Sequence, residues 1–452
     1  MHNNTEDLIE YKFFSFLKIH YLLALYFLAC SFSIAFSQII LSLVAFLWIY
    51  GIIKKPDMFK IRRSPLDLFI AVYVIVSILA IIFSLDPVTS ISHAKHIFLC
   101  LIFFFGVQAL TNPERVRLYF NFFIAGGVIN CFYALFRHFF LGEGGLEKRL
   151  HGFISSWMTF SSFMMMILLI LLAKLIWKEA SRRYLKFQIS SAGHKDTEAQ
   201  RHEVFENSEE SSPGYSKGES NKYQWLYLFS ALLFFYIIIL TLTRSSWVGL
   251  FFGILALTFL HSRKLVLIVL ILLLLFGIIS YPFMPEKISN RFRSIFSTKD
   301  TTNKERIYMA IIAVNIIKAH PLLGIGPGTL RENLQHYVAE GIDKNWNIPH
   351  LHNNILQITV DKGLIGLLVW LSLYIKWFYD AMVLFYKKKQ LYPDLIGGAI
   401  AVIVAFLISG LFEYNFGDSE IFMVTLFFMA IPYAISGTKQ EMTYNNKEQP
   451  QS

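Results

Sequence analysis

The sequence predicts an all-α polytopic membrane protein with about twelve transmembrane helices and one large loop domain outside the bilayer. Three observations carry this reading. The 452 residues are 55% hydrophobic and only 16% charged, with a mean hydropathy of +0.51, far from the balance of a water-soluble domain. Apolar runs recur at the length that crosses a hydrocarbon core about 30 Å thick, and in that medium only helices satisfy every backbone group of a single span. Two long hydrophilic stretches, of different character, interrupt the runs.

The runs fall at residues 14–34, 37–53, 66–84, 93–111, 118–140, 156–177, 225–243, 246–261, 264–281, 354–378, 392–411 and 418–436. Nothing at the start reads as a cleaved signal peptide, so the first run is expected to be retained. Basic loops set the orientation: "KKPDMFKIRR", "NPERVR", "HSRK" and "KKK" follow the second, fourth, eighth and tenth runs and belong on the cytoplasmic side. The intervening "SLDPVTS" and "EYNFGDSE" carry no Lys or Arg. "EGGLEKRLHG" departs from the pattern, being basic on the outer face.

The expected organisation is six helices over 1–177, a polar cytoplasmic linker over 178–224, three helices over 225–281, an ordered outer loop over 282–353, three helices over 354–436, and a cytoplasmic tail over 437–452. The linker is rich in Ser and Glu and poor in aliphatic residues, which predicts disorder. The outer loop instead contains "KERIYMAIIAVNIIKAHP", a helical repeat of apolar positions stopped by Pro321 and Gly324. The net charge of +10 lies mainly in loops beside spans, where it orients the chain against anionic lipid rather than signalling nucleic acid. Cys30, Cys100 and Cys131 lie inside apolar runs, which reads as small core residues rather than disulfides or metal ligands.

Four features of the outer face could carry chemistry. Arg244, in "TLTRSSWVG", lies at membrane depth or close to it, where a charge is costly. Arg306 opens the amphipathic segment, against the preference of a helix N-terminus for acids, and its guanidinium matches phosphate oxygens in pairs. "HPLLGIGPG" combines Pro321 with Gly324, Gly326 and Gly328 in a turn where backbone can approach a ligand, without the GKS or GKT of a P-loop. "PHLHNN" sets His350, His352 and Asn353 before the tenth span; an imidazole there could take a proton from a hydroxyl, and the same residues could simply cap the helix. On a helix, residues two apart point apart, which argues against a zincin pair, and neither HExxH nor a D-x-D in the large loop is present. Glu413, Asp418 and Glu420 are the nearest approach to a carboxylate metal site. No metal or other cofactor is expected. Lys95 in "SHAKHIF" and Arg149 in the aberrant basic loop are further candidates for an anionic substrate.

These residues resemble the O-antigen ligase superfamily, which includes O-antigen polymerases and protein O-oligosaccharyltransferases. The ligase pattern, His-Asn followed by nine residues, Gly, two residues and Gly, is met by His352, Asn353, Gly363 and Gly366. "TRSSWVGL" and "KERIYMAIIAVNIIKAHPLLGIGPGTL" resemble the two arginine segments, with Tyr308 and its neighbours where the family usually has Trp. The resemblance covers about Leu240 to Leu371 and the layout of spans. It implies a GT-C-like glycosyltransferase of the bacterial inner membrane with a periplasmic catalytic loop, independent of metal and ATP. It would move a glycan from undecaprenyl diphosphate to lipid A-core oligosaccharide with inversion. The family's functional positions map onto Arg244, Arg306 and His352 as catalytic residues. Substrate binding is expected at Asn353, His350, Gly324, Gly326, Lys95 and Arg149. A polymerase or protein-glycosylating enzyme of the same superfamily is the alternative, and a lipid-linked glycan transporter the alternative of another class.

Overall fold

Each expected apolar run is met by helix. The computed structural model describes residues 19–54, 62–142, 149–154, 156–178, 219–294, 301–338, 348–388 and 392–436. The linker and the tail therefore lie essentially outside the described residues. In chain order the helices are α1 (Ile19–Ala29), α2 (Ile34–Lys54), α3 (Asp67–Ile82), α4 (Pro87–Ser92), α5 (Lys95–Leu99), α6 (Leu101–Ala109), α7 (Pro113–Phe140), α8 (Trp157–Ile176) and α9 (Glu219–Leu240). They continue as α10 (Arg244–His261), α11 (Arg263–Ser280), α12 (Glu286–Ser294), α13 (Thr301–Ala319), α14 (Leu330–Asn333), α15 (Asn354–Lys388), α16 (Pro393–Ser409) and α17 (Ser419–Ile435). No strand occurs among the described residues. Among the described residues seven stretches are long and apolar enough to cross a membrane, and shorter apolar helices stand at the other five expected spans.

Helices that are apolar all round can only be central or lipid-facing. Both solutions occur. α8 and α17 are buried on nearly every side, and α16 packs against α8, α10 and α17, so these helices form the middle of the bundle. α11 buries none of its residues and leaves most of its apolar surface facing outward.

Two runs differ from the single helices expected. The fourth is divided into α4, α5 and α6, and it begins at Pro87 because Asp86 accepts hydrogen bonds from the Val88 and Thr89 amides and Pro87 fixes the first turn. The tenth, α15, is interrupted at Gly363, whose φ of 66° and ψ of −173° are not helical. The Leu364 amide there donates to the Pro321 carbonyl at 2.8 Å, so the outer turn crosses the helix at the break. A Cβ at Gly363 would lie 2.0 Å from the Leu322 oxygen. The crossing therefore requires glycine.

The expected outer segment is ordered where it is described. α13 buries Met309, Ile312, Ala313 and Ile316 at helical spacing against Ile325, Leu330, Leu334, Ile348, Leu351 and Val360, forming a small core of its own. The Ile325 amide donates to Val360 O and the Gly326 amide to Asp361 O, which ties this unit to the start of α15. At the opposite end of the bundle, Arg117 makes two hydrogen bonds to Asp394, at 2.8 and 3.0 Å, joining the starts of α7 and α16. The loops expected on the outer face thus meet one another away from that pair.

Candidate active site

His352 occupies a turn rather than a helix. Its φ is 47°, and the turn is held because the Leu351 amide donates to Gln357 Oε1 and Asn353 Oδ1 accepts from the Leu356 amide, capping α15. The turn directs the imidazole at the loop between α16 and α17, where Nδ1 lies 2.8 Å from Glu413 Oε1. A carboxylate accepts, so Nδ1 carries the proton of this bond and the lone pair of the neutral ring falls on Nε2. That is the state required of a base.

The same loop is anchored from several directions. Asn353 Nδ2 donates to Leu411 O, the Asn354 amide donates to Gly410 O, Asn354 Nδ2 donates to Asn415 Oδ1, and the Phe416 amide donates to Asn354 Oδ1. Arg306, in the first turns of α13, donates to Phe412 O at 2.7 Å and sits over the Phe412 ring. Arg306 and His352 therefore grip adjacent residues, Phe412 and Glu413. Sequence reasoning had placed Glu413 in a carboxylate trio; it is instead bonded to His352, while Asp418 caps α17 and accepts from Thr159 Oγ1.

His350 and His352 are not splayed by a helix, as their two-residue spacing suggested. Both precede α15, and their rings lie 4.3 Å apart at 72°. Donor atoms of His350, His352 and Glu413 all lie within 4.8 Å of one another. Burial, and then the neighbouring His352, push the His350 pKa down to about 4.

Arg244 is the first residue of α10, buried, with Nη1 3.0 Å from both the carbonyl and hydroxyl oxygens of Ser294 at the end of α12. Arg149 is close to it: burial, and secondarily the charge of Arg244, pull the Arg149 guanidinium below the usual arginine range. Arg149 lies over the Trp157 ring at 5.0 Å and has no ion pair among the described residues. Two guanidinium groups gathered in this way are arranged for an anion. Among the described residues, the non-glycine positions with positive φ are Arg149, Leu242 and His352. Leu242 precedes Thr243, the residue before Arg244, and Arg291 Nε donates to the Leu242 carbonyl. Each such conformation costs about 1–3 kcal/mol, and here two of the three, Arg149 and His352, are candidate residues while Leu242 lies two residues before a further one, Arg244.

Gly324 and Gly326 have φ of 71° and 98°, but protein atoms fill the space they leave. A Cβ would fall 2.2 Å from Val360 O at Gly324 and 2.0 Å from Ser84 Oγ at Gly326. Lys95 lines a cavity of about 420 Å³, together with His93, His96, Lys362, His350 and Glu413. Lys362 and Asp361 lay unnoticed inside the expected tenth span. Lys362 donates to Tyr73 and Ser77, and Asp361 accepts from Gln357.

The described residues thus form a multi-pass membrane protein in which Arg149 and Arg244 lie close together and a histidine is bonded to a carboxylate. Residues 229–371, about a third of the chain, match the family described as O-antigen ligase, so this segment is similar to that family. Arg244, Arg306, His352 and Gly363 fall within the match; Arg149 and Glu413 fall outside it. The chain is 27% identical over 187 residues to the teichuronic acid biosynthesis protein TuaE of Bacillus subtilis, covering 39% of this chain and 38% of that protein. It is 31% identical over 159 residues to a Rickettsia conorii protein named, provisionally, as a polysaccharide ligase, covering 32% of this chain and 37% of the relative. The chain thus spans well under half the length of these relatives in each match.

Proposed function

We propose that the protein is an O-antigen ligase: an inverting, metal-independent glycosyltransferase of the inner membrane that transfers a glycan from undecaprenyl diphosphate to lipid A-core oligosaccharide at the periplasmic face. The observation that carries this reading is the His352–Glu413 bond, beside the Arg306 bond to Phe412 in the same loop, together with the approach of Arg149 to Arg244. In the proposed step the acceptor hydroxyl gives its proton to His352 Nε2, and its oxygen bonds to the anomeric carbon as the bond to the diphosphate oxygen breaks. Glu413 stabilises the imidazolium formed. Arg244, Arg149 and Arg306 neutralise the charge that grows on the departing diphosphate, the task a metal performs in other transferases. Asn353 holds the base by capping its helix and fixing Leu411.

The six-segment division of the chain and its sidedness, with residues 282–353 facing the periplasm, belong to this proposal. The name of the Bacillus subtilis relative favours a second reading, extension of a polysaccharide by the same chemistry. Deleting the gene separates them. Core-only lipopolysaccharide with accumulated full-length lipid-linked glycan supports the ligase. A single added repeat supports the polymerase, and unchanged lipopolysaccharide with unglycosylated protein supports protein transfer.

A further inference from the structure

His350 has no part in the proton transfer described above, and its Nδ1 is buried without a hydrogen-bond partner among the described residues. It is nevertheless held in place, its ring against His352 and 5.7 Å from that of Tyr414. Together with His352 and Glu413 it presents two imidazoles and one carboxylate whose donor atoms span no more than 4.8 Å. Two nitrogens and one oxygen suit Zn²⁺ and its neighbours in the transition series, whereas Mg²⁺ and Ca²⁺ take oxygens. Zn–N bonds of about 2.0–2.1 Å place tetrahedral donors about 3.4 Å apart, so no separation in the set need close by more than roughly 1.4 Å, within reach of ring and carboxylate rotation. His350 and Glu413 line the 420 Å³ cavity, which supplies an access route.

We propose that His350, His352 and Glu413 form a binding site for a transition-metal ion of the Zn²⁺ class, and that an ion bound there switches the transferase off. Ligation by the His352 lone pair leaves no acceptor for the hydroxyl proton, and ligation by Glu413 takes away the partner of the imidazolium. The inhibition rests on the function proposed above; the binding does not.

The test uses full-length protein in detergent, stripped with chelator and titrated with Co²⁺ as the visible probe. The expected result is one equivalent bound with ligand-field bands, displaced by Zn²⁺. His350→Ala should weaken binding by at least the 10- to 100-fold that loss of a mere outer-sphere partner causes. His336→Ala, on the exposed surface, is the control. No bands, or equal affinity in the two variants, overturns the site. In a transfer assay, Zn²⁺ should inhibit along the same binding curve and chelator should restore the rate. Full transfer with the site filled overturns the switch. Co²⁺ binding by a protein that transfers no glycan to any acceptor upholds the site and counts against the transferase reading alone.

Discussion

The Nδ1 atom of His352 lies 2.8 Å from Oε1 of Glu413, a residue 61 positions later in the chain, and the bond joins the turn before α15 to the loop before α17. Removing the carboxylate charge while keeping a hydrogen-bonding side chain should therefore impair catalysis without removing the fold. Glu413→Gln is expected to lower kcat by about 10²- to 10⁴-fold, the range of general-base contributions. His352→Ala is expected to fall at least as far, with both variants present in membranes at the wild-type level by immunoblot.

Arg149 and Arg244 should act as a pair on the diphosphate. Loss of one charge-stabilising donor costs about 10²- to 10³-fold in kcat. Arg149→Ala, Arg244→Ala and Arg306→Ala are expected in that range, with Arg149→Lys recovering only part because ammonium lacks the planar fork. Because two donors to one leaving group are coupled, the Arg149→Ala, Arg244→Ala double variant should lose less than the product of the single losses, measured as transfer rate in liposomes.

Gly363 carries a separable structural prediction. Gly363→Ala places a methyl on the Leu322 carbonyl at positive φ, so its thermal midpoint in detergent should fall, by about 1–3 kcal/mol of stability or more. Gly277→Ala in α11, where a Cβ meets nothing within 4 Å, should leave the midpoint unchanged or raise it slightly.

His350 sets a pH dependence. Its folded pKa of about 4 lies below the ordinary value of 6.5, so between these values the unfolded chain binds more protons. Stability should be fully present above pH 6.5 and decline as pH falls toward 4. The thermal midpoint of His350→Gln, measured over the same window, should show a shallower slope.

The helices were legible because apolar runs of membrane length leave the backbone no other state. The arginines, His352 and the spaced glycines were legible because they stand out against an apolar background. Glu413 was not: its importance is a contact across 61 positions, and a carboxylate in an outer loop gives no local sign of its partner. The proximity of His350 to His352 is not legible from their two-residue spacing, which separates side chains only on a helix, and the helix starts only at Asn354. The break at Gly363 was hidden because the run is apolar on both sides of it, and Asp361 and Lys362 were hidden inside the same run.

His352 and Gly363, both at positive φ, bracket the uninterrupted helical stretch 354–362. At 1.5 Å per residue those nine positions make a strut about 13 Å long. Its far end is pinned to Pro321 and Leu322, and its near end carries His352. The nine-residue interval of the motif is then a length gauge rather than a spacer. One inserted residue would turn the imidazole about 100° around the strut axis and advance it about 1.5 Å, swinging it away from Glu413 with every reacting group still present.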